Sequence, residues 1–292
     1  MKEKIIDGKM VANNLYEKLK LRVQKFEFEK NIQPRLDIIL ANKNKDSELY
    51  VGRKIEIARG LGIDVKLHKF DGSIEKADII HLIDKLNHNK DVHGIIIQLP
   101  MFQHLDQLEL CNMINFAKDV DGLSAVNMGK LFLGFDKKKD FFHASCTPLG
   151  CMILLDEYKL NVSGKKCIIL NRSNIVGKPL IACLLKRDAM VQVVHSKVED
   201  FSDELYNADF IFSAVGMKDF IKMGMIKHDA VIFDIGINFS ETGNLCGDVD
   251  FENCCQKASF ITPVPGGVGQ MTIAGLMSNV VDACEYLTKD IK

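Results

Sequence analysis

Short, strongly apolar runs alternate with amphipathic helical patterns along almost the whole of this chain. The clearest run in the first half is Gly94–Leu99, which reads GIIIQL, another lies at Leu36–Leu40, and Ile63–Phe70 is strand-like. Runs this short and rich in β-branched residues are typical of buried strands rather than helices. Because strands that alternate with helices pair in parallel through right-handed crossovers, the sequence predicts an α/β fold.

The segments between these runs have apolar residues three or four positions apart, which is the spacing of amphipathic helices. In the first half the predicted helices are Asp7–Lys30, Ser47–Gly60, Ile74–Leu86 and about Leu105–Phe116. In the second half the predicted strands are Cys167–Leu170, Met190–His195, Phe210–Ala214, Val231–Ile235 and Ser259–Ile261, and a final helix is predicted at Ile273–Leu287. The stretch from Val120 to Phe142 is less regular, and its GFDKKKD segment is predicted to be an exposed loop.

The length of 292 residues predicts two domains, since a typical domain holds ~150 residues. The irregular stretch places the boundary between about Phe142 and Pro148, so the expected domains are residues 1–145 and 146–271. On the residues alone, the final helix fits either half of the chain.

Composition and charge argue against several classes of protein. With 47% hydrophobic and 26% charged residues, the chain is typical of a globular protein with a large core. Its net charge of −1 gives no reason to expect nucleic acid or an anionic membrane as a partner. No apolar run approaches the ~20 residues that span a bilayer, and the N-terminus lacks the apolar core of a secretory signal. The nine cysteines form no C-x-x-C pair, so we expect no metal site, no disulfide framework and a cytoplasmic location.

Lys166 to Arg187 combine a predicted strand, a polar loop and an apolar helical pattern that Pro179 opens. Proline suits the first turn of a helix, where its missing N–H costs nothing. Free N–H groups and the helix dipole favour an anion at such a helix start, and Arg172 adds a fixed positive charge. The loop holds a single glycine, Gly177, so the G-x-G-x-x-G fingerprint is absent. Two interpretations stay open: a nucleotide-binding loop and an ordinary strand-to-helix connection.

The next predicted strand ends in His195-Ser196-Lys197. An NAD-binding fold normally has a carboxylate here, which binds the ribose hydroxyls. Ser196 offers a hydroxyl instead, and together with Arg172 it suits a 2′-phosphate. If a dinucleotide binds, these residues favour NADP over NAD; the alternative is an ordinary strand end.

Ser47, Tyr50 and Lys54 are three and four positions apart, so they share one face of the predicted helix. Burial lowers the pKa of a lysine, which can then act as a base or a proton relay near neutral pH. The tyrosine ring offers a flat face to an aromatic substrate. The alternative is a solvated lysine beside a half-buried tyrosine.

Three further segments have residues that suit ligand binding. Gln98-Leu99-Pro100 ends a predicted buried strand, where open α/β sheets bind ligands. In Lys118–Gly122 (KDVDG), two aspartates suit hydrogen bonds from the N–H groups of a polar heterocycle. In Pro263–Gly269 (PVPGGVG), small and rigid residues permit close backbone approach to a flat ligand. The simpler alternatives are a polar strand end, an Asp-Gly turn and a connecting loop.

In their order and separations, six segments resemble the bifunctional methylenetetrahydrofolate dehydrogenase/methenyltetrahydrofolate cyclohydrolase family. They are YVGRK at Tyr50–Lys54, GIIIQLP at Gly94–Pro100, KDVDG at Lys118–Gly122, CTPLG at Cys146–Gly150, RSNIVGKP at Arg172–Pro179 and TPVPGGVG at Thr262–Gly269. The resemblance covers nearly the whole chain. It implies two α/β domains with a cleft between them, the first for folate and the second a Rossmann-like NADP-binding domain. It also implies that the final helix, residues 272–292, packs back on the first domain.

The resemblance implies roles for individual residues and no metal. The implied catalytic residues are Lys54, Tyr50, Gln98 and Asp121. The folate substrate is expected to contact these four and also Leu99, Pro100, Pro265, Gly266, Gly267 and Gly269. NADP is expected to contact Asn171, Arg172, Ser173, Ser196, Ile237 and Thr272.

The implied activity is NADP-dependent oxidation of 5,10-methylenetetrahydrofolate to the 5,10-methenyl compound, followed by hydrolysis to 10-formyltetrahydrofolate. The alternatives are a dehydrogenase alone, a dehydrogenase that uses NAD, and a folate- or nucleotide-binding protein without turnover. The family further implies a homodimer and a place in one-carbon metabolism and purine biosynthesis.

Four residues depart from the family's usual pattern. Asn171 replaces a glycine, and we expect its side chain to crowd a bound diphosphate or to force a positive φ, which asparagine tolerates. Val198 replaces a threonine, Gln270 a proline after Gly-Val-Gly, and Ser145 a proline before Cys-Thr-Pro. Since none of these is a predicted catalytic residue, we expect the chemistry to be retained.

Overall fold

The computed structural model describes residues 4–137, 139–240 and 243–289. The backbone divides into two compact units. The first unit comprises Asn14–Cys146 and Ile273–Lys292, and the second comprises Met1–Asn13 and Thr147–Thr272. Residues 1–3 and 290–292, which the predicted domains and final helix include, lie outside the described ranges.

The first unit is built on the strands β1 (Arg35–Leu40), β2 (Asp64–Lys69) and β3 (Gly94–Ile97). They pair in parallel in the order β2–β1–β3, which agrees with the predicted α/β class. The accompanying helices are α1 (Gly8–Lys30), α2 (Lys45–Gly60), α3 (Lys76–His88), α4 (Gln107–Met113) and α5 (Ala125–Phe132). Ile38 and Ile39 enter two separate apolar clusters, because successive strand residues point to opposite faces of the sheet.

Several features of this unit differ from the sequence prediction. Helix α4 spans Gln107–Met113 and is shorter at both ends than the predicted helix at about Leu105–Phe116. Strand β3 ends at Ile97, so Gln98 and Leu99 lie just beyond the strand rather than in it. Helix α5 is not predicted, because its eight residues are too few for a clear apolar repeat. The Ser124 hydroxyl caps this helix by accepting a hydrogen bond from the Asn127 N–H. The described part of the GFDKKKD segment is largely exposed, as predicted, and Lys138 lies outside the described ranges.

The second unit contains the strands β4 (Lys166–Leu170), β5 (Met190–Val194), β6 (Phe210–Ser213), β7 (Val231–Asp234), β8 (Asn238–Phe239), β9 (Leu245–Cys246) and β10 (Phe260–Ile261). Five of them form a parallel sheet in the order β10–β7–β6–β4–β5, and β8 and β9 pair as a small hairpin. The chain thus leaves β5 at one edge and returns to the other side of β4, which agrees with the predicted Rossmann-like arrangement. Helices in this unit are α6 (Cys146–Glu157), α7 (Gly177–Leu185), α8 (Ser202–Tyr206) and α9 (Phe251–Lys257).

The last helix, α10, runs from Val268 to Leu287 and begins five residues before its predicted start at Ile273. The glycines and prolines of Pro263–Gly269 predict a loop throughout, but Val268 and Gly269 lie in the first helical turn. There, the Gln270 N–H donates a hydrogen bond to the Gly267 carbonyl. From Ile273 onward the helix belongs to the first unit and packs in its apolar core. Among the described helices, none is long and apolar enough to cross a membrane.

The N-terminal segment groups with the second unit, whereas the predicted domains place it with the first. The Ile6 N–H donates to the Ile261 carbonyl, and the Lys9 N–H donates to the Gly266 carbonyl. A Cβ at Gly8 would overlap the Gly267 carbonyl, so the start of α1 lies directly against this backbone. A helical repeat in the sequence carries no information about such backbone contacts, which explains the difference.

Candidate active site

Helix α2 presents Tyr50 and Lys54 on one face, as predicted, and Lys54 is only 6% exposed. The Lys54 Nζ donates a hydrogen bond to Gln98 Oε1 at 2.9 Å and lies 5.0 Å from the centre of the Tyr50 ring. Ser47, one turn earlier, is also buried. Lys54 is therefore not the solvated lysine of the simpler interpretation.

The surroundings of Lys54 favour its neutral form. Burial lowers the pKa of the Lys54 amine from the ordinary lysine value, and the negative charge of Asp121 opposes this shift in part. A neutral amine has a lone pair that can accept a proton. The site therefore contains a candidate base, Lys54, and a carboxylate, Asp121, whose charge affects the pKa of that base.

Gln98 is oriented by the segment that follows β3. Its Nε2 donates to the Leu99 carbonyl at 2.8 Å, which leaves Oε1 as the acceptor for Lys54. The Leu99–Pro100 peptide bond is cis. The Pro100 carbonyl accepts a hydrogen bond from Asn42 Nδ2 at 2.6 Å, which ties this segment to the one after β1. The predicted residues Gln98, Leu99 and Pro100 thus form one anchored turn at the end of the parallel strands.

Lys118 and Asp119, the first two residues of the KDVDG segment, have structural roles. The Lys118 Nζ donates to the carbonyls of Leu86, Asn87 and Asn89 at the end of α3. Asp119 is buried and accepts hydrogen bonds from the N–H groups of Gly122, Leu123 and Ser124 and from Asn127 Nδ2. These contacts leave Asp121 as the acid of this segment whose charge acts on Lys54.

The backbone around Asp121 is fixed from two sides. Gly122 has a φ of +68°, and a Cβ there would overlap the backbone of Ala144, so the position requires glycine. Asn279 of α10 is buried, and its Nδ2 donates to the carbonyls of Val120 and Ala144 at 2.9 Å each. Sequence patterns did not identify Asn279, because a single polar residue in an apolar helix gives no sign of its distant partners.

Cys146, at the start of α6, is a second neighbour of Asp121 that sequence reasoning did not single out. Its thiol donates to the Val120 carbonyl at 3.3 Å. Burial raises the pKa of this thiol well above its ordinary value, and the Asp121 carboxylate raises it further. Cys146 is therefore a neutral thiol that packs beside the acid.

The second unit contains a cavity of about 480 Å³ at the carboxyl ends of β4, β5 and β6. Its lining includes Asn171–Ser173 after β4, His195 and Ser196 after β5, and Ala214 and Val215 after β6. None of the described residues that line it carries a carboxylate. Four of the predicted cofactor residues, namely Asn171, Arg172, Ser173 and Ser196, are thus brought together.

Asn171 fastens the loop between β4 and α7. Its Oδ1 accepts hydrogen bonds from the N–H groups of Ser173 at 2.7 Å and Gly177 at 3.1 Å, and its Nδ2 donates to the Ala214 carbonyl at 2.6 Å. Among the described residues other than glycine, positive φ occurs at Asn31, Lys159, Asp188, Asp219 and Asp229. The expectation of a positive φ at Asn171 is therefore wrong.

Helix α7 begins at Gly177, which the sequence predicts to lie in the loop. A Cβ at Gly177 would overlap the Asn171 carbonyl, so this position requires glycine. Pro179 lies in the first turn of the helix. The N–H groups of Ser173 and Gly177, however, are already bonded to Asn171, so an anion here would rely on Arg172 and Ser196.

The remaining predicted residues of this unit lie outside the lining of that cavity, as far as the described residues show. Ile237 is 57% exposed just after β7. The Thr272 hydroxyl lies 3.0 Å from the Thr147 hydroxyl. Pro265, Gly266 and Gly267 precede α10, and Gly269 lies within its first turn. Their contacts with folate or NADP stay predictions.

Two buried aspartates of the second unit, Asp234 and Asp248, have no role predicted from the sequence. Each is adjacent or nearly adjacent to a glycine, in DIG at Asp234–Gly236 and GD at Gly247-Asp248. A glycine close to an aspartate was the only sign in the sequence, because a residue without a Cβ lets another side chain approach its backbone closely. Within the described ranges, no group of three or more His, Cys, Asp and Glu side chains could hold a metal ion.

Two family models match the chain. The catalytic domain of tetrahydrofolate dehydrogenase/cyclohydrolase matches residues 6–121, and the NAD(P)-binding domain of the same family matches residues 145–288. A bifunctional protein FolD from Thermodesulfovibrio yellowstonii is 42% identical and covers 100% of this chain and 100% of that protein. Another from Campylobacter hominis is 40% identical and covers 99% of each.

Solved structures agree with these matches. The bifunctional methylenetetrahydrofolate dehydrogenase/cyclohydrolase FolD from Campylobacter jejuni is 38% identical, with a TM-score of 0.93 over 97% of this chain and 98% of that one. A Trypanosoma brucei methylenetetrahydrofolate dehydrogenase-cyclohydrolase, complexed with NADP and an inhibitor, is 30% identical, with a TM-score of 0.91 over 97% of each chain. The resemblance seen in the sequence is therefore confirmed, and the chain belongs to the tetrahydrofolate dehydrogenase/cyclohydrolase family.

Proposed function

We propose that the protein oxidises 5,10-methylenetetrahydrofolate with NADP⁺ and hydrolyses the 5,10-methenyl product to 10-formyltetrahydrofolate. The observation that carries this proposal is the buried Lys54 amine, whose Nζ donates to Gln98 Oε1 at 2.9 Å. Because a desolvated lysine gives up its proton more readily than a solvated one, it can relay protons near neutral pH.

In the hydrolytic step, a water oxygen bonds to the methenyl carbon while neutral Lys54 accepts one proton from that water. The bond between this carbon and N5 of the folate then breaks. Lys54 returns its proton to N5, and the hydroxyl proton of the adduct leaves to solvent, which gives the formyl group on N10. Gln98 holds the Lys54 Nζ in place throughout through its Oε1.

We assign the folate ring to the surroundings of Lys54 in the first unit. The Tyr50 ring lies beside the Lys54 amine and offers a face on which the pteridine can stack. Asp121 offers carboxylate oxygens to the N–H groups of the pteridine. We also assign Leu99 and Pro100 to the folate site, because they form the anchored turn next to Gln98.

We assign NADP to the cavity of the second unit. Arg172 and Ser196 line it, and a guanidinium with a hydroxyl suits a 2′-phosphate. The absence of a carboxylate among the described lining residues removes the usual partner of the ribose hydroxyls in NAD sites. Asn171 and Ser173 belong to the same lining, and Ile237 and Thr272 are added on the family resemblance. When bound, NADP⁺ accepts the hydride of the one-carbon bridge, and the chain contributes by holding the reacting groups in position.

Initial rates of the purified protein with 5,10-methylenetetrahydrofolate and either NADP⁺ or NAD⁺ test this proposal. The methenyl compound absorbs in the near ultraviolet, so its formation and decay are both visible. We expect faster oxidation with NADP⁺, followed by hydrolysis. Equal rates with NAD⁺ would contradict the assignment of Arg172 and Ser196. Oxidation without hydrolysis would favour a dehydrogenase alone, and binding without turnover would favour a non-catalytic protein.

We further propose, on the family resemblance, that the protein is a cytoplasmic homodimer whose product supplies purine biosynthesis. Light scattering of the purified protein measures the mass directly. A mass equal to the 32.8 kDa of one chain would contradict the homodimer. Cell fractionation tests the location.

A further inference from the structure

A fully buried carboxylate, Asp248, joins two segments of the second unit. Its Oδ2 accepts hydrogen bonds from the Ser213 hydroxyl at 3.0 Å and the Val215 N–H at 2.7 Å. Its Oδ1 accepts hydrogen bonds from the Met217 N–H at 3.1 Å and from Asn238 Nδ2 at 2.9 Å. One side chain therefore fixes both the end of β6 with its following loop and the segment after β7.

The first of these segments forms part of the wall of the cavity after β6. Val215 and Met217, whose N–H groups bind Asp248, both line the cavity. The Ala214 carbonyl between Ser213 and Val215 is bound by Asn171 on the loop after β4. The position of this wall thus depends on two side chains, Asn171 and Asp248.

The second segment contains Ile237, which the family resemblance assigns to the cofactor. Asn238, whose side chain binds Asp248, is the next residue along the chain. A Cβ at Gly236 would overlap the carboxylate of Asp248, so glycine at this position lets the backbone approach the acid closely. Gly236 and Asn238 both contact Asp248, so the backbone is fixed on each side of Ile237.

Asp248 is itself held by Asp234 at the end of β7. The Asp234 carboxylate accepts hydrogen bonds from the N–H groups of Asp248 at 3.0 Å and Val249 at 2.9 Å. A Cβ at Gly247 would overlap the Asp234 carboxylate, which repeats the arrangement between Gly236 and Asp248. Asp248 thus occupies the space that Gly236 leaves open, and Asp234 occupies the space that Gly247 leaves open.

We propose that Asp248 is a positioning residue of the dinucleotide site, where its carboxylate sets the loop after β6 and the segment around Ile237 for the cofactor. This inference rests on the proposed NADP function of the cavity. All four donors point at oxygens of Asp248, so an amide in its place would turn one acceptor into a donor that faces other donors. The loops would then shift and weaken cofactor binding, while the surroundings of Lys54 in the first unit would keep their own hydrogen bonds.

Isothermal titration calorimetry of NADP⁺ with the wild type, Asp248→Asn and the matched control Asp229→Asn tests this role without requiring turnover. Asp229 is 73% exposed, and asparagine tolerates its positive φ. We expect Asp248→Asn to weaken NADP⁺ binding at least about tenfold, the scale of one lost hydrogen bond to a charged group. Hydrolysis of supplied methenyltetrahydrofolate should stay near the wild-type rate in both variants, which a general loss of folding would not allow.

An unchanged dissociation constant in Asp248→Asn would overturn the inference. If that variant does not fold, Ser213→Ala removes one donor to Asp248 and leaves its charge and backbone contacts in place. We then expect binding about fivefold weaker, and an unchanged constant would again overturn the inference. Failure of the wild type to bind NADP⁺ would instead defeat the proposed function of the cavity, and the inference with it.

Discussion

The Lys54 Nζ lies 5.0 Å from the centre of the Tyr50 ring, one helical turn away on α2. The face of an aromatic ring attracts the ammonium form, whereas burial favours the neutral amine. The Gln98 Oε1 binds the same nitrogen at 2.9 Å and fixes its position. The surroundings of Lys54 thus accommodate both the ammonium form and the neutral amine. A proton relay requires both forms.

The rate of hydrolysis should rise with pH. Burial lowers the pKa of Lys54 from the ordinary lysine value, so the neutral amine that accepts the proton becomes populated at a lower pH than in a solvated lysine. We expect kcat for methenyltetrahydrofolate hydrolysis to increase and level off below the pH at which an ordinary lysine titrates. A rate that falls with rising pH, after correction for uncatalysed hydrolysis, would contradict this role.

Gln98→Glu should slow hydrolysis by stabilising the ammonium form of Lys54. The new carboxylate would lie next to the Lys54 Nζ and raise its pKa. We expect a rate about tenfold lower near neutral pH, equivalent to one unit of pKa, with recovery at higher pH. Gln33→Glu, at an exposed glutamine of the same unit, is the matched control and should leave the profile unchanged. The same profile in both variants would count against the pairing.

Asn171→Gly should destabilise the protein, although glycine is the family's usual residue there. The variant loses the hydrogen bonds from Asn171 to Ser173, Gly177 and Ala214. We expect the free energy of unfolding, measured in urea, to fall by about 2 kcal/mol. Asn174→Gly, at an exposed asparagine of the same loop, controls for the added backbone freedom of glycine. Equal losses in the two variants would show that the three hydrogen bonds contribute nothing.

The titration of Asp234 should lower the free energy of unfolding as the pH rises from about 4 to about 7. Burial raises the pKa of Asp234 to about 7 in the folded protein, from an ordinary value of 3.8. Between these values the unfolded chain loses this proton first, so the folded state binds more protons and its relative stability falls with pH. The contribution is on the order of 4 kcal/mol, since each pKa unit corresponds to about 1.4 kcal/mol.

Urea unfolding of the wild type and Asp234→Asn across this pH range measures that contribution. The variant cannot titrate at this position, so its deficit relative to the wild type should shrink as the pH rises. A difference between the two proteins that stays constant from pH 4 to pH 7 would mean that Asp234 ionises with an ordinary pKa. Other carboxylates titrate equally in both proteins and cancel in the comparison.

The sequence predicted the five strands of the parallel sheet in the second unit to within one residue at each end, because short β-branched runs bounded by polar residues have few alternatives. The two-residue strands β8 and β9 were not predicted, because they are too short to give a pattern. The start of α10 was placed five residues late, since glycines and prolines at Pro263–Gly269 describe a loop equally well. Helix α5 was missed for lack of length. In both places, the local sequence pattern is compatible with a loop as well as with a helix.

The sequence identified only part of the side chains around Lys54, since it gave no sign of Asn279 or Cys146, and it did not predict their geometry. The shared face of Tyr50 and Lys54 follows from helical spacing alone. The burial of Lys54 does not, because it depends on Gln98 and on segments far along the chain. Likewise, Asn171 binds the carbonyl of Ala214, which follows another strand and lies 43 residues later. Such contacts arise only when strands are paired, and no local pattern contains them.

Hydrolysis of methenyltetrahydrofolate by Lys54→Met tests the central claim most directly. Methionine keeps the length and apolar packing of the lysine stem but cannot carry a proton. Lys45→Met, at an exposed position on the same helix, is the matched control, and NADP⁺ binding reports that the variant is folded. We expect Lys54→Met to bind NADP⁺ normally and to lose the hydrolytic activity, while Lys45→Met retains it. Hydrolysis at the wild-type rate in Lys54→Met would contradict the account.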